Sequence, residues 1–145
     1  MEWMLMPLRR YADFSGRSRR KEYWMYFLLY YLVFIILFVL LFSGIPWPEF
    51  DDAGVVVNEA ATPGPLVWIA GGLMMIFAFG TIVPSIAVTV RRFHDQDMTG
   101  WLYLLSFIPY IGWLIVFVFM CIDGTRGPNQ YGDDPKDPGT AAVFE

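Results

Sequence analysis

Arg91-Arg92-Phe93-His94-Asp95 separates two long apolar runs, residues 66–90 and 101–122, neither of which contains a formally charged side chain. A helix rises about 1.5 Å per residue and the hydrocarbon core is about 30 Å thick, so each run is sized to cross a bilayer. The charged cluster then belongs in a short turn at a membrane surface. Any chemistry in the chain is expected at that turn.

Working outward, residues 23–42 form a third uncharged run of similar length, preceded by Arg9, Arg10, Arg17, Arg19, Arg20 and Lys21. This run exceeds the apolar stretch of about 7–15 residues in a signal peptide, so a retained span is favoured over a cleaved leader. Residues 43–65 contain four prolines and four acids but no Lys or Arg, as expected of a polar external loop. Eight of the ten basic residues thus fall on one side of the membrane. The positive-inside rule makes that side cytoplasmic and places the N-terminus there. The net charge of −4 conceals this segregation, and 57% hydrophobic with 17% charged residues excludes an ordinary soluble or disordered chain.

Smaller signals refine this plan. Trp3, Met4, Leu8 and Tyr11 can share a helix side, so residues 1–14 read as a surface-lying helix or, because Pro7 interrupts, an irregular arm. Gly16 permits a turn and Ser18 suits an N-cap, with the first long helix starting near Arg19. In the second span Gly80, Pro84 and Ala87 lie on one face at small-residue spacing, the pattern of close helix packing, and Pro84 is expected to kink the helix. Thr99 or Asp97 is the expected cap of the next element. Pro109-Tyr110-Ile111-Gly112 interrupts the last run, which becomes either one kinked crossing or a re-entrant hairpin. Half of 22 residues is too short to span, which favours the single crossing and an external C-terminus. The expected fold is therefore an all-α polytopic membrane protein with three transmembrane helices (about 23–42, 66–90 and 101–122). A basic segment, 1–22, precedes them, and a polar, loop-like tail, 123–145, follows with mobile last residues. The single cysteine, Cys121, excludes an intramolecular disulfide and is expected to be a buried, inert thiol.

Three spaced groups of residues resemble one family. They are Phe14-Ser15-Gly16-Arg17 with Arg20, Glu22, Tyr23 and Trp24; Arg91-Arg92-Phe93-His94-Asp95 with Gly100-Trp101, Pro109 and Gly112-Trp113; and Gly124 with Asn129, Tyr131-Gly132 and Asp134-Pro135. Together they resemble the domain of unknown function 805 family of small bacterial inner-membrane proteins. The resemblance implies a multi-span inner-membrane protein and brings no activity, ligand or catalytic residue. The 43–65 loop is longer and more acidic than the family pattern implies.

The charged turn admits several functions. If the helix continues past Val90, Arg91 and Asp95 pair at i, i+4 as a topology anchor, leaving Arg92 to face lipid phosphate. Alternatively Arg17, Arg20, Arg91, Arg92 and His94 converge on the cytoplasmic face to bind an anionic lipid headgroup or an acidic partner, for which the planar guanidinium fork is suited. Catalysis is not expected. His94, Asp95 and Asp97 lack a distant ligand partner and Ser85 lacks a nucleophile-elbow pattern, so no metal or other cofactor is assigned. Nucleic acid is not an expected partner, because the dense basic patch adjoins a span. Transport by a small homo-oligomeric channel or transporter is the alternative to the interaction role.

Overall fold

The computed structural model describes residues 2–58 and 62–136. Four helices, one 3₁₀ helix and a small β-hairpin follow in the order α1 (Glu2–Arg9), α2 (Arg20–Ser43), β1 (Glu49–Phe50), β2 (Val56–Asn58), α3 (Pro65–Asp95), the 3₁₀ helix Gly100–Phe107 and α4 (Gly112–Cys121). The chain forms two compact units, one from residues up to Leu29 with those from Thr81 onward, the other Tyr30–Gly80.

Helices α2 and α3 have 24 and 31 residues, and each contains a long, strongly apolar stretch. At about 36 and 46 Å both exceed the hydrocarbon thickness. Their most apolar stretches are only 6% and 11% buried, with Ile36, Trp68, Ile69 and Ile76 among the open side chains. Such a surface would aggregate in water and is the normal outside of a helix in lipid. The uncharged runs at 23–42 and 66–90 therefore lie inside two membrane-length helices, as expected from the sequence. Within Tyr30–Gly80 the helices pair antiparallel. Tyr30 meets Phe77 at 5.2 Å, and a Cβ at Gly44 would stand 2.9 Å from Val67. The 43–65 loop carries more order than its composition suggested. β1 and β2 pair antiparallel, and the Asp51 carboxylate accepts the amides of Ala53 and Val55 at 2.9 and 2.8 Å, with Gly54 at φ +76°.

The third apolar run departs from the favoured expectation, since the described residues hold two helices of spanning length, not three. Residues 100–107 wind as a 3₁₀ helix of about 16 Å, the chain turns at residues 108–111, and α4 is about 15 Å long. Thr99 caps the 3₁₀ helix by accepting the Trp101 amide at 3.4 Å. Tyr110 adopts φ +67° in the turn, and Gly112 donates to the Ile108 carbonyl at 2.9 Å. Both ends of the run return to the same end of α3. A Cβ on Gly100 would lie 2.5 Å from Val90, and one on Gly124 would lie 2.0 Å from the Asp95 carboxylate. This is the geometry of the re-entrant alternative. It arises because the break at 108–111 lets two short helices pack on each other.

Gly112 is required by that packing. A Cβ there would stand 2.1 Å from the Leu105 carbonyl oxygen, a backbone atom that cannot rotate away. Gly112→Ala is expected to lower stability by about 2–3 kcal/mol through overpacking, read as a fall in thermal midpoint in detergent. An unchanged midpoint would mean that the two short helices are not closely apposed.

Local expectations divide. Residues 2–9 do form a short helix through Pro7, and Ser18 precedes α2 but is fully buried. Pro84 and Ala87 are buried on α3, where Tyr26 Oη meets Ser85 Oγ at 2.9 Å, whereas Gly80 is exposed with open space where a Cβ would point. In this part of α3 the buried residues run from Thr81 through Pro84 and Ala87, and α3 passes through Pro84 as a continuous helix. Cys121 is exposed, not buried, because it lies on the open side of α4. The described tail, 123–136, is loop-like, with one isolated pairing of Asn129 and Gly132. The last residues expected to be mobile, 137–145, lie outside the described residues.

Candidate functional site: a buried arginine latch with an open basic cleft beside it

The last turn of α3 carries Arg91 and Arg92, both with no exposed surface, and Asp95, 1% exposed. Isolated charges cannot be buried without partners, so their contacts decide what they do. The i, i+4 pair expected between Arg91 and Asp95 is not formed. Consecutive residues on a helix point about 100° apart, and here they serve different segments. Arg91 turns to the N-terminal arm. Its Nε donates to Ser18 Oγ at 3.0 Å, and its Nη2 pairs with Glu22 Oε1 at 3.3 Å. Its Nη1 donates to the carbonyls of Asp13 and Arg10. Arg92 instead donates to the Asp95 carboxylate, three residues on, and to the Ile122 carbonyl at the end of α4.

Asp95 has a second cation. Arg17, 6% exposed, donates from Nε to Asp95 Oδ1 at 3.0 Å and reaches the Gly127 and Thr125 carbonyls at 2.7 and 2.6 Å. The Asp95 carbonyl accepts the Thr125 amide at 2.8 Å. Three guanidinium groups and two carboxylates therefore tie the N-terminal arm, the end of α3 and the tail into one block. Among the described residues, Arg92 Nε and Gln96 Oε1 are the buried side-chain polar atoms left unpaired. The remaining donors are consumed by fixed protein acceptors.

His94 occupies the rim of this block. Its ring stacks on Tyr131 at 3.8 Å and 3°, its Nδ1 lies 3.2 Å from the Gly16 carbonyl, and its own carbonyl accepts from Asn129 Nδ2 at 2.9 Å. With Asp95 committed to two arginines, His94, Asp95 and Asp97 do not converge, and no three His, Cys, Asp or Glu gather among the described residues.

The structure thus separates the five side chains expected on one basic face. Arg17, Arg91 and Arg92 are internal, His94 is partly buried, and Arg20 is exposed. A second set lies beside Arg20. Arg19, Arg20, Lys21, Trp24, Asp123 and Lys136 line an open cleft of about 410 Å³. Asp123, the single acid there, lies 3.3 Å from Arg20 and 3.2 Å from Lys136. The hydrogen bond from Lys136, with its charge and that of Arg20, holds Asp123 below the usual carboxylate range. Arg19 and Lys21 also stand over Trp3, 5.3 and 5.6 Å from its ring.

On the arm, Asp13 is likewise held well below the carboxylate range, first by the Ser15 hydroxyl and then by Arg10. Asp134 is lowered by the backbone amides of Lys136 and Gly127. Sequence reasoning missed the roles of Glu22, Trp24, Asp123 and Lys136. Glu22 carried a signal, because a lone carboxylate at the head of an apolar span needs a cation. Lys136 carried none, since its neighbours come together through the fold.

The family model described as a protein of unknown function, DUF805, matches residues 11–133, which takes in the arm from Tyr11 onward, the latch and most of the described tail. The chain is 39% identical over 141 residues to the inner membrane protein YhaI of Escherichia coli strain K12, covering 94% of this chain and 97% of the relative. It is 39% identical over 136 residues to the inner membrane protein YhaH of the same strain, covering 94% and 98%. No solved structure matches. Apolar helices of spanning length and relatives named for the inner membrane agree on an integral inner-membrane protein. From the motifs first read in the sequence to the full extent of this match, the chain belongs to the DUF805 family.

Proposed function

We propose that this inner-membrane protein is a non-catalytic membrane-embedded interaction protein whose cytoplasmic face engages an anionic lipid headgroup. In this reading α2 and α3 cross the bilayer, the 3₁₀ helix and α4 re-enter from the cytoplasmic side, and the N-terminus is cytoplasmic. The observation that carries the reading is the open cleft of Arg19, Arg20, Lys21 and Lys136, with Asp123 as its one acid and Trp24 at its wall. Four cations against one carboxylate leave a local excess of three positive charges at the head of α2. Trp24 suits the headgroup layer, where an amphipathic ring is comfortable. The buried arginines support the site indirectly, because the latch fixes the tail that delivers Asp123 and Lys136.

The test is native mass spectrometry of protein extracted gently from its own membrane. Each cation near an anionic surface contributes about 1 kcal/mol, so replacing Arg19, Lys21 and Lys136 by Ala is expected to weaken retention of phosphatidylglycerol or cardiolipin by about two orders of magnitude. The loss should shrink as salt is raised. Retention equal to that of the unaltered protein at low salt would exclude the cleft as a headgroup site.

A further inference from the structure

A different cavity, of about 440 Å³, lies between α3 and the 3₁₀ helix. Ile86, Val90 and His94 form its α3 wall at steps of four residues, so they make one stripe along the helix. The stripe is about 12 Å long and changes from purely apolar at Ile86 to an imidazole at His94. Trp101 and Leu104 form the opposite wall and are 76% and 54% exposed. The mouth is thus rimmed by the same kind of open apolar surface that α2 and α3 present to lipid. Gly100 closes the floor against Val90, where any side chain would collide.

The polar end is specific about what it can accept. The Gly16 carbonyl can only accept, so the His94 Nδ1 beside it carries the proton, and in the neutral ring Nε2 keeps its lone pair. A Cβ at Gly100 would stand 3.2 Å from that Nε2, which therefore points toward the cavity floor. No described residue donates to it. Stacking on Tyr131 fixes the ring plane. Thr99 also lines the cavity and carries a hydroxyl able to donate. No guanidinium lines this cavity, and those of Arg17, Arg91 and Arg92 are buried and directed at acceptors elsewhere in the block. An anionic head would find no cation here, whereas a hydroxyl head can donate to Nε2 and accept from Thr99.

We propose that this groove binds a neutral single-chain lipid, its hydroxyl-bearing head at His94 Nε2 and its tail along Val90 and Ile86 toward the bilayer interior. The volume lies at the lower end of the range of about 300–1,000 Å³ for small-molecule sites and suits one chain with a small head. Entry is lateral, from the membrane, past Trp101 and Leu104. The site is separate from the basic cleft, with which it shares no lining residue.

The probe is 1-monooleoylglycerol, titrated into the full-length protein and followed by native mass spectrometry, with oleate as the charged ligand of the same chain. Saturable one-to-one binding is expected, with oleate the weaker ligand. His94→Phe keeps a flat ring against Tyr131 but removes the acceptor, and should weaken binding roughly tenfold. Ile86→Trp fills the tail end on the lipid side of α3 and should abolish binding while leaving helicity intact. It decides the matter even if His94→Phe folds poorly. Replacing Arg19, Lys21 and Lys136 by Ala should leave this binding unchanged, which separates failure here from failure of the headgroup reading. Non-saturable uptake, binding unaffected by Ile86→Trp, or preference for oleate would each overturn the assignment.

Discussion

Asp95→Ala is expected to destabilise the arginine block by about 3–5 kcal/mol, because it strands two buried guanidinium groups at once. Arg17 Nε and Arg92 both donate to this carboxylate, and the side chains of all three residues are 2% exposed or less. Both cations are enclosed by the fold and held by tail and α4 carbonyls, so neither reaches water without local opening. Removing the carboxylate also leaves a space beside Gly124, which has no side chain because Asp95 occupies that position. A chain of this size shifts its midpoint by roughly 2–4 °C per kcal/mol, so thermal unfolding in detergent should fall by about 6–20 °C. Arg20→Ala is the matched control. It breaks the Arg20–Asp123 pair, whose side chains are 48% and 65% exposed, and exposed pairs contribute about 0–1 kcal/mol. If the two substitutions cost the same, the arginine latch is not what holds the tail.

The contrast explains how much of this molecule could be read from its residues. Uninterrupted apolar runs revealed the two long helices because lipid imposes a length and excludes charge, and both constraints are visible locally. Thr99 was legible as a cap for the same reason, its partner being two residues away. Arg17 was expected among cations open to a headgroup or partner, and the structure buries it. Its acceptors lie 78 to 115 residues away, and most are backbone carbonyls, which every residue possesses and none advertises. Burial therefore made internal clamps of Arg17, Arg91 and Arg92, while the open cleft keeps Arg20 with its neighbours Arg19 and Lys21 and gains Lys136 from the tail. The third run was legible only in part. An all-apolar segment has no period to distinguish a crossing from a hairpin, so only length spoke, and length favoured a single crossing. Pro109 and Gly112 marked the break correctly, but the close approach of Gly112 to Leu105 that makes the break a reversal is a property of the folded pair.

That reversal carries a consequence for the tail that labelling can decide. With Cys121→Ser as background, a cysteine at Gln130 is expected to react with an impermeant maleimide only from the cytoplasmic side, as should one at the exposed Arg9. A cysteine at Asp52, in the hairpin loop, should react only from the opposite side. The effect is all-or-none, because the tail carbonyls of Thr125 and Gly127 are held by Arg17, which belongs to the N-terminal arm. To place Gln130 beside Asp52 across the bilayer, α4 and the 3₁₀ helix would have to straighten into one crossing. Arg17 would lose its tail acceptors, and Asp95 would lose the backbone amide of Thr125. Three buried polar groups would then need new partners in a segment that offers none, at a cost of about 1–3 kcal/mol each. Labelling of Gln130 together with Asp52 would mean that the single kinked crossing is the membrane state, and the re-entrant reading would have to be given up.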